Sequence, residues 1–511
     1  MKKRNIPSRL PIFFKFKKNL SLSEHMQKKR LKILMLNPPF LPKFSRSSRS
    51  PAVTKGGTIY YPLWLAYTTG VLEKAGFETM LLDAPAESLS LQETAKKAAE
   101  FKPGMVVLDT STASIYNDVK VAEELKKKLP KAFTVLVGPH VSALPKESLS
   151  LSKKISAVAK HEYDYILRDL ALELEKKKPR LKKVKGLVFR SGKKISENPD
   201  MPFIENLDYL PFVSKVYKKH LNYKNYFYSA NLWPEITILT GRGCPHRCTF
   251  CVWPQTMSGR AYRHRSVENV VEEFKYIKEN FPDVKEIFIE DDTLTANRER
   301  VRQLCKSLVE QKVKIAWSCN ARADVDLETL QWMKKAGCRL LCVGFESGVQ
   351  EILNNIKKGT RIETIRQFMK DAKRAGILVH GCFMLGNQGE TKETIKKTIE
   401  FAKELDPDTA QFFPIMVYPG TESFDFFKQN QCLTTLDFKE WVDSEGMHNT
   451  IVSRPGLSAK ELVQLCDLGR REFYLRPGYV AKKAVQSITR PGERKRIFKS
   501  AKTFAKYLLK K

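Results

Sequence analysis

The sequence predicts an α/β chain: a doubly wound, Rossmann-like domain, then a partial (β/α)6 barrel, then a helical, basic C-terminus. Short apolar runs alternate with amphipathic helical stretches over residues 31–179, and the alternation resumes over 234–431. The runs are apolar on both faces, as strands of a parallel sheet covered from each side must be. Residues 180–233, between the two series, are punctuated by proline and read as a hairpin and linker.

In the first series "LKILMLNPP", "ETMLLDAP", "MVVLDTS", "TVLVGPH" and "ISAVAK" read as strands. The helices between them are "YPLWLAYTTGVLEKAG", "LQETAKKAAEF" and "NDVKVAEELKKKLP". Ligands of such sheets lie at the carboxyl ends of the strands. Those ends are small or turn-forming here, with Asn37, Thr110, Ser111, Thr112 and Gly138 among them. The linker holds a hairpin candidate, "GLVFRSGKKIS". The second series has six strands, in "EITILTGRG", "VKEIFIEDD", "VKIAWSCNARAD", "RLLCVGFESG", "ILVHGCFMLGN" and "TAQFFPIMVYPGT". Barrel chemistry also belongs at strand carboxyl ends. Residues 432–511 form a helical region that ends in a basic tail.

A chain of 511 residues with 42% hydrophobic content is long enough for two or three packed domains. No run of about 18 apolar residues predicts a spanning helix, and lysines break the apolar part of the first twenty residues, which make a poor signal peptide. All ten cysteines lie at or after Cys244, a distribution that suits reduced thiols and not a secreted disulfide scaffold. The cytoplasm is the expected location.

The net charge of +34 is concentrated at the ends: residues 1–32 carry +10 and residues 476–511 carry +11. The 1–30 basic tail and the C-terminus therefore predict contact with an anionic surface; nucleic acid is the less favoured partner. Near the end, Ile497, Ala501, Phe504 and Leu508 recur at helical spacing, opposite Lys495, Lys499, Lys502, Lys506 and Lys510. This pattern suits a basic helix lying peripherally on the inner face of a membrane. The plainer alternative is a helix docked on its own barrel.

At 241–254, "GRGCPHRCTFCVWP" places Cys244, Cys248 and Cys251 in C-x3-C-x2-C spacing on the loop after the first barrel strand. Thiolates ligate zinc, copper(I) or iron–sulfur clusters. Structural zinc is closed by four ligands, whereas three cysteines on a 4Fe–4S cluster leave one iron open to an exogenous ligand. A zinc knuckle and chance spacing are the alternatives.

With Phe250 before Cys251, this loop resembles the signature of the radical S-adenosylmethionine (SAM) superfamily. The resemblance implies that Cys244, Cys248 and Cys251 hold a 4Fe–4S cluster whose open iron chelates SAM. An electron from a donor such as flavodoxin or ferredoxin would then release a 5′-deoxyadenosyl radical. It also implies that Glu290, Asp291 and Asp292 hold the methionine amine. Asn320, Glu346 and Ser347 would serve ribose and carboxylate, and Gly386 would lie beside adenine. Capped turns are the plainer reading of each of these. Arg265 receives no role. Cys319, Cys342 and Cys382 fall on predicted strands, as small buried hydrophobes or as hydrogen-atom donors to a product radical.

A doubly wound domain before this barrel resembles the cobalamin-binding (B12-binding) class of the superfamily, from about Lys32 to Tyr474. Its corrin would lie over Asn37, Thr110, Ser111, Thr112 and Gly138. The D-x-H-x-x-G motif that supplies a lower histidine in other B12 proteins is missing, and His140 reads as a loop residue. The alternative is a domain kept only as a structural lid. The cysteine-free first 243 residues set the chain apart from the methylthiotransferases. "YYPLWLAY", "LLDAPAE", "DTSTAS" and "FYLRPGY" resemble the radical SAM proteins that form the hopanoid cyclitol and archaeal calditol. That implies radical C–C bond formation on a lipid-linked sugar or polyol head group. The alternatives are a cobalamin-dependent radical methyltransferase and a non-catalytic basic membrane- or nucleic-acid-binding protein.

Overall fold

The structure, a computed structural model, describes residues 30–54, 56–489 and 491–509. Residues 1–29 of the expected basic tail lie outside it, as do the side chains of Phe504, Lys506, Leu508 and Lys510 in the expected amphipathic stripe.

The first sheet is built on β1 (Lys32–Asn37), β2 (Glu78–Asp83), β3 (Met105–Asp109), β4 (Phe133–Val137) and β5 (Ala157–Ala159). They are parallel and lie in the order β2-β1-β3-β4-β5, the doubly wound order with its switch point between β1 and β3. Two antiparallel strands, β6 (Leu187–Ser191) and β7 (Lys194–Glu197), extend this sheet beyond β5. The hairpin that reads as linker in the sequence is thus part of the first sheet. Its short turn runs through Gly192 at φ +63°, a conformation that favours glycine. The first helix, Leu63–Lys74, is buried from Leu63 to Leu72 because sheet and linker cover it from both sides. At Gly70 a Cβ would meet the Pro211 ring at 2.5 Å, so only glycine lets the linker come this close.

The second sheet comprises β8 (Glu235–Ile238), β9 (Glu286–Ile289), β10 (Ala316–Ala321), β11 (Cys338–Gly344), β12 (Leu378–Leu385) and β13 (Thr409–Pro414). All neighbours are parallel and in chain order, so the sheet curls into a six-stranded partial barrel. Its edges among the described residues are β8 and β13. Ser266, Asn297, Asp326 and Thr391 start four of the outer helices by accepting a backbone N–H within the first turn. Helix Ala459–Tyr474 covers β13, where Gly469 packs on Phe412.

Buried ion pairs lock the two halves together. Arg242 of the "GRGC" stretch reaches Glu162 and Asp164 of the first domain, each at 2.7 Å, and its guanidinium lies over the Trp64 ring. At the far end, helix Pro491–Leu509 is seated on the barrel: Glu493 is buried and binds Arg339 at 2.7 Å, and Lys499 lies over Phe227. No helix of the described residues is long and apolar enough to cross a membrane.

Candidate cluster and cofactor site

The loop after β8 carries the three cysteines and is held from several sides. Gly243 adopts φ +90°, and a Cβ there would lie 2.1 Å from the Ala261 carbonyl. Its N–H donates to Asp292 Oδ2 at 3.0 Å, which also accepts from Ser258 Oγ at 2.8 Å. Thr249, between the second and third cysteines, donates from its N–H to the Ile356 carbonyl. It accepts from Ser423 at both its carbonyl and its hydroxyl. Burial pushes the Cys244 thiol up to about 11, with Asp292 and Cys248 adding to the effect. The Cys251 thiol is raised by burial first and then by Asp292, Cys248 and Cys244. Buried thiols whose ionisation is opposed by a carboxylate and by one another fit a site completed by a cationic cluster. Half-buried Phe250 packs against the surrounding core.

The three acidic residues after β9 face different ways. Asp291 is fully buried and accepts from Thr240 N–H (2.6 Å), Thr240 Oγ1 (2.7 Å) and Tyr262 OH (2.9 Å). It braces the barrel wall, so the expected place on the methionine amine does not suit it. Asp292 holds the cysteine loop. Glu290 points to the lumen, where Asn320 Nδ2 donates to it at 3.3 Å and Arg49 pairs with it. Arg49 comes from the loop after β1, stacks on Trp253 and also reaches Asp292 at 3.5 Å. The sequence reading missed it.

Around the other rim, Glu346 adopts φ +65° and forms a buried pair with Lys358 at 2.8 Å. Burial opposes the Lys358 charge, but Glu346 first and then Cys248 raise its pKa above the usual lysine value. Ser347 turns away: its hydroxyl meets Thr398 at 3.1 Å on an outer helix, which corrects its expected place on SAM. Gly386 makes a turn at φ +94° and donates to Glu390, and its Cβ direction is filled by Leu462 at 2.4 Å. Its role is the turn and the packing of that helix. Arg265, left without a role above, is buried against Glu273.

At the strand ends of the first sheet, Thr110, Ser111 and Thr112 are all buried. Thr110 Oγ1 donates to the Val137 carbonyl at 2.7 Å, and Ser111 meets Ser114 at 2.8 Å. Gly138, at φ +112°, has no room for a Cβ, which would lie 2.5 Å from the Thr110 carbonyl. His140 lies buried in a short helix, Pro139–Ala143, and not on a loop. Its Nδ1 lies 3.2 Å from Thr112 Oγ1, and its ring packs edge-on against Phe438. Burial lowers its pKa to about 3, so it is neutral. Asn37 bonds Asp83 at 2.8 Å and accepts from buried Arg46, whose charge is met by Asp118 at 2.6 Å. On the loop after β1 and on the first helix, Ser48 Oγ and Trp64 Nε1 are buried with no protein partner. Small strand ends and partnerless polar atoms fit a large, amide-bearing ring such as the corrin.

Below the cluster loop, the lumen opens into a cavity of about 1250 Å³. Tyr60, Tyr228, His380 and Phe413 line it, and six lysines border it, Lys43, Lys285, Lys495 and Lys499 among them.

Comparisons with known proteins agree with this architecture. Residues 238–402 match the family model of the Radical SAM superfamily, and residues 49–171 match that of the B12 binding domain. The chain is 29% identical over 474 residues to an uncharacterized methyltransferase, PH0819, of Pyrococcus horikoshii, covering 90% of this chain and 99% of that one. It is 30% identical over 427 residues to an anaerobic magnesium-protoporphyrin IX monomethyl ester cyclase of Cereibacter sphaeroides, covering 81% and 67%. The radical SAM methyltransferase TsrM of Kitasatospora setae, solved with cobalamin and a 4Fe–4S cluster, shares the fold at TM-score 0.61 and 18% identity, over 80% of this chain and 79% of that one. The chain is an enzyme of the radical SAM superfamily, in the class that joins a cobalamin-binding domain to a barrel using a 4Fe–4S cluster and SAM.

Proposed function

We propose that this enzyme forms a carbon–carbon bond by methyl transfer to an unactivated carbon of a bulky, largely apolar substrate that carries an anionic group. The cavity carries this reading. At about 1250 Å³ it exceeds the usual range of small-ligand pockets, about 300–1,000 Å³. Its aromatic lining suits rings or chains, and six lysines at its border suit an anion. When bound, the cluster and SAM supply the radical and cobalamin supplies the methyl group. The protein holds the cysteine loop through Asp292, presents Glu290 and Arg49 to the two ends of an amino acid moiety, and keeps water from the lumen with Tyr60 and Tyr228. Methyltransferases of this class are among the relatives, including the hopanoid C-3 methylase of Methylococcus capsulatus at 26% identity.

Ring closure on a lipid-linked sugar or polyol is a second reading, favoured by the cyclase relatives and by a pair of thiols inside the lumen. A peripheral place on an anionic membrane, with electrons from flavodoxin or ferredoxin, belongs to the same proposal. The test is product analysis. Reconstituted enzyme with methyl-labelled SAM and an anionic lipid extract should yield a labelled lipid together with S-adenosylhomocysteine and 5′-deoxyadenosine. Turnover giving 5′-deoxyadenosine and an unlabelled product would replace methyl transfer with ring closure.

A further inference from the structure

Two thiols, an imidazole and a phenol meet inside the barrel, between the SAM rim and the cavity. Cys342 on β11 and Cys382 on β12 face the lumen. With His380 they place their ligand atoms within 4.8 Å of one another. The strand register explains this: Cys342 pairs with His380, and Cys382 lies two residues further along the same face. Tyr228 OH lies 2.7 Å from Cys342 Sγ, and its ring is part of the cavity wall. At the other end, the thiol of Cys382 feels the charges of Glu346 and Lys358, the pair that flanks the cluster loop. Cys382, Cys342 and Tyr228 thus form a continuous path from the SAM rim to the cavity.

We propose that this path donates a hydrogen atom to carbon radicals formed in the lumen. The S–H bond of Cys382 breaks and a C–H bond forms on the radical, leaving a thiyl on Cys382. A hydrogen atom from Cys342 restores Cys382, and one from the Tyr228 O–H restores Cys342. The phenoxyl left on Tyr228 is reduced by one electron, from the low-potential donor that also reduces the cluster, and takes a proton from water in the cavity. Sulfur–hydrogen and phenolic bonds are weaker than the C–H bonds formed, so the sequence runs downhill. The hydrogen bond to Cys342 and burial together keep Cys382 protonated, so its S–H is intact. The path would finish a ring closure, and in a methyltransferase it would quench radicals that miss their partner. It therefore stands whichever reading of the product holds.

The experiment needs SAM alone. Reconstituted, reduced holoenzyme is given SAM in D2O, where S–H and O–H exchange, and the 5′-deoxyadenosine released is weighed by mass spectrometry. Deuterated product is expected from the parent enzyme, and Cys382→Ala should lose the label while keeping its iron and its capacity to bind SAM. Freeze-quenched electron paramagnetic resonance should show a phenoxyl radical that disappears in Tyr228→Phe and in Cys342→Ala. Equal deuterium in the parent and both cysteine variants would overturn the proposal. So would stoichiometric zinc that is lost in Cys342→Ser, since a metal held by Cys342, His380 and Cys382 would leave no S–H to give.

Discussion

Asp292 accepts the amide of Gly243 at 3.0 Å, which ties the loop after β9 to the cysteine loop after β8. The same Oδ2 takes the Ser258 hydroxyl, so both stems of the loop converge on one carboxylate. Asp292→Ala should weaken this loop by about 2 kcal/mol, the scale of hydrogen bonds to a charged group. The expected result is protein that folds but loses iron on gel filtration, short of the complete loss expected for Cys248→Ala. Asp291→Ala should instead lower thermal stability, because three donors inside the wall lose their acceptor. Iron content and melting temperature, measured together, separate the two.

Arg242 joins the barrel to the first domain through Glu162 and Asp164, with all three side chains buried. Removing one partner of a buried pair leaves an uncompensated charge and costs about 3–5 kcal/mol. Arg242→Met should therefore shift the denaturant midpoint strongly downward. Adding Asp164→Asn should recover part of the loss, since Arg242 is its ion-pair partner, whereas Glu162 still meets Arg263 at 2.8 Å. If the single variant unfolds like the parent, the contact does not hold the domains together.

Both sheets were legible as two series of apolar runs, and the cysteine loop as a spacing. What escaped was set by three-dimensional neighbours. Three acidic residues in a row read as one site, yet successive residues of extended chain point to opposite sides, so Glu290 and Asp291 part company. Arg49 lies 241 residues before Glu290 in a stretch of serines and arginines whose pattern names no partner. The hairpin β6–β7 is short and half polar, so only its pairing with β5 shows that it completes the first sheet.

Asp109, at the end of β3, makes stability depend on pH. Burial raises its carboxyl from 3.8 to about 7; Asp118 adds to the rise and Arg46 opposes it. Between about pH 4 and 7 the unfolded chain releases this proton while the folded chain keeps it. The unfolded state then binds fewer protons, so stability falls as pH rises, by at most about 1.4 kcal/mol per pH unit, and levels off above the folded value. Asp109→Asn removes this contribution. The variant should match the parent near pH 4 and exceed it at pH 8. Chemical denaturation at the two values checks this, and an equal difference at both would show that Asp109 does not carry the proton.

The C-terminal helix joins two expectations that the sequence left apart. Its first turns are docked, through Glu493 on Arg339 and Lys499 on Phe227, and Lys495, Ile497 and Lys499 border the cavity. The helix is thus a wall of the cavity. Truncation after Thr489 should therefore open the cavity, raising the fluorescence of an apolar dye, and leave Arg339 with Glu286 alone. Glu493→Ala should do the same more weakly, since it releases the anchor without removing the wall. Co-sedimentation with anionic vesicles reports separately on the membrane proposal: attraction between exposed lysines and an anionic surface is screened by salt, whereas burial of an apolar face is not. Binding that survives added salt but is lost on truncation would assign the helix to the membrane as well as to the cavity wall. If truncation changes the dye signal and leaves vesicle binding untouched, the helix is a wall only, and membrane contact passes to the N-terminal basic residues.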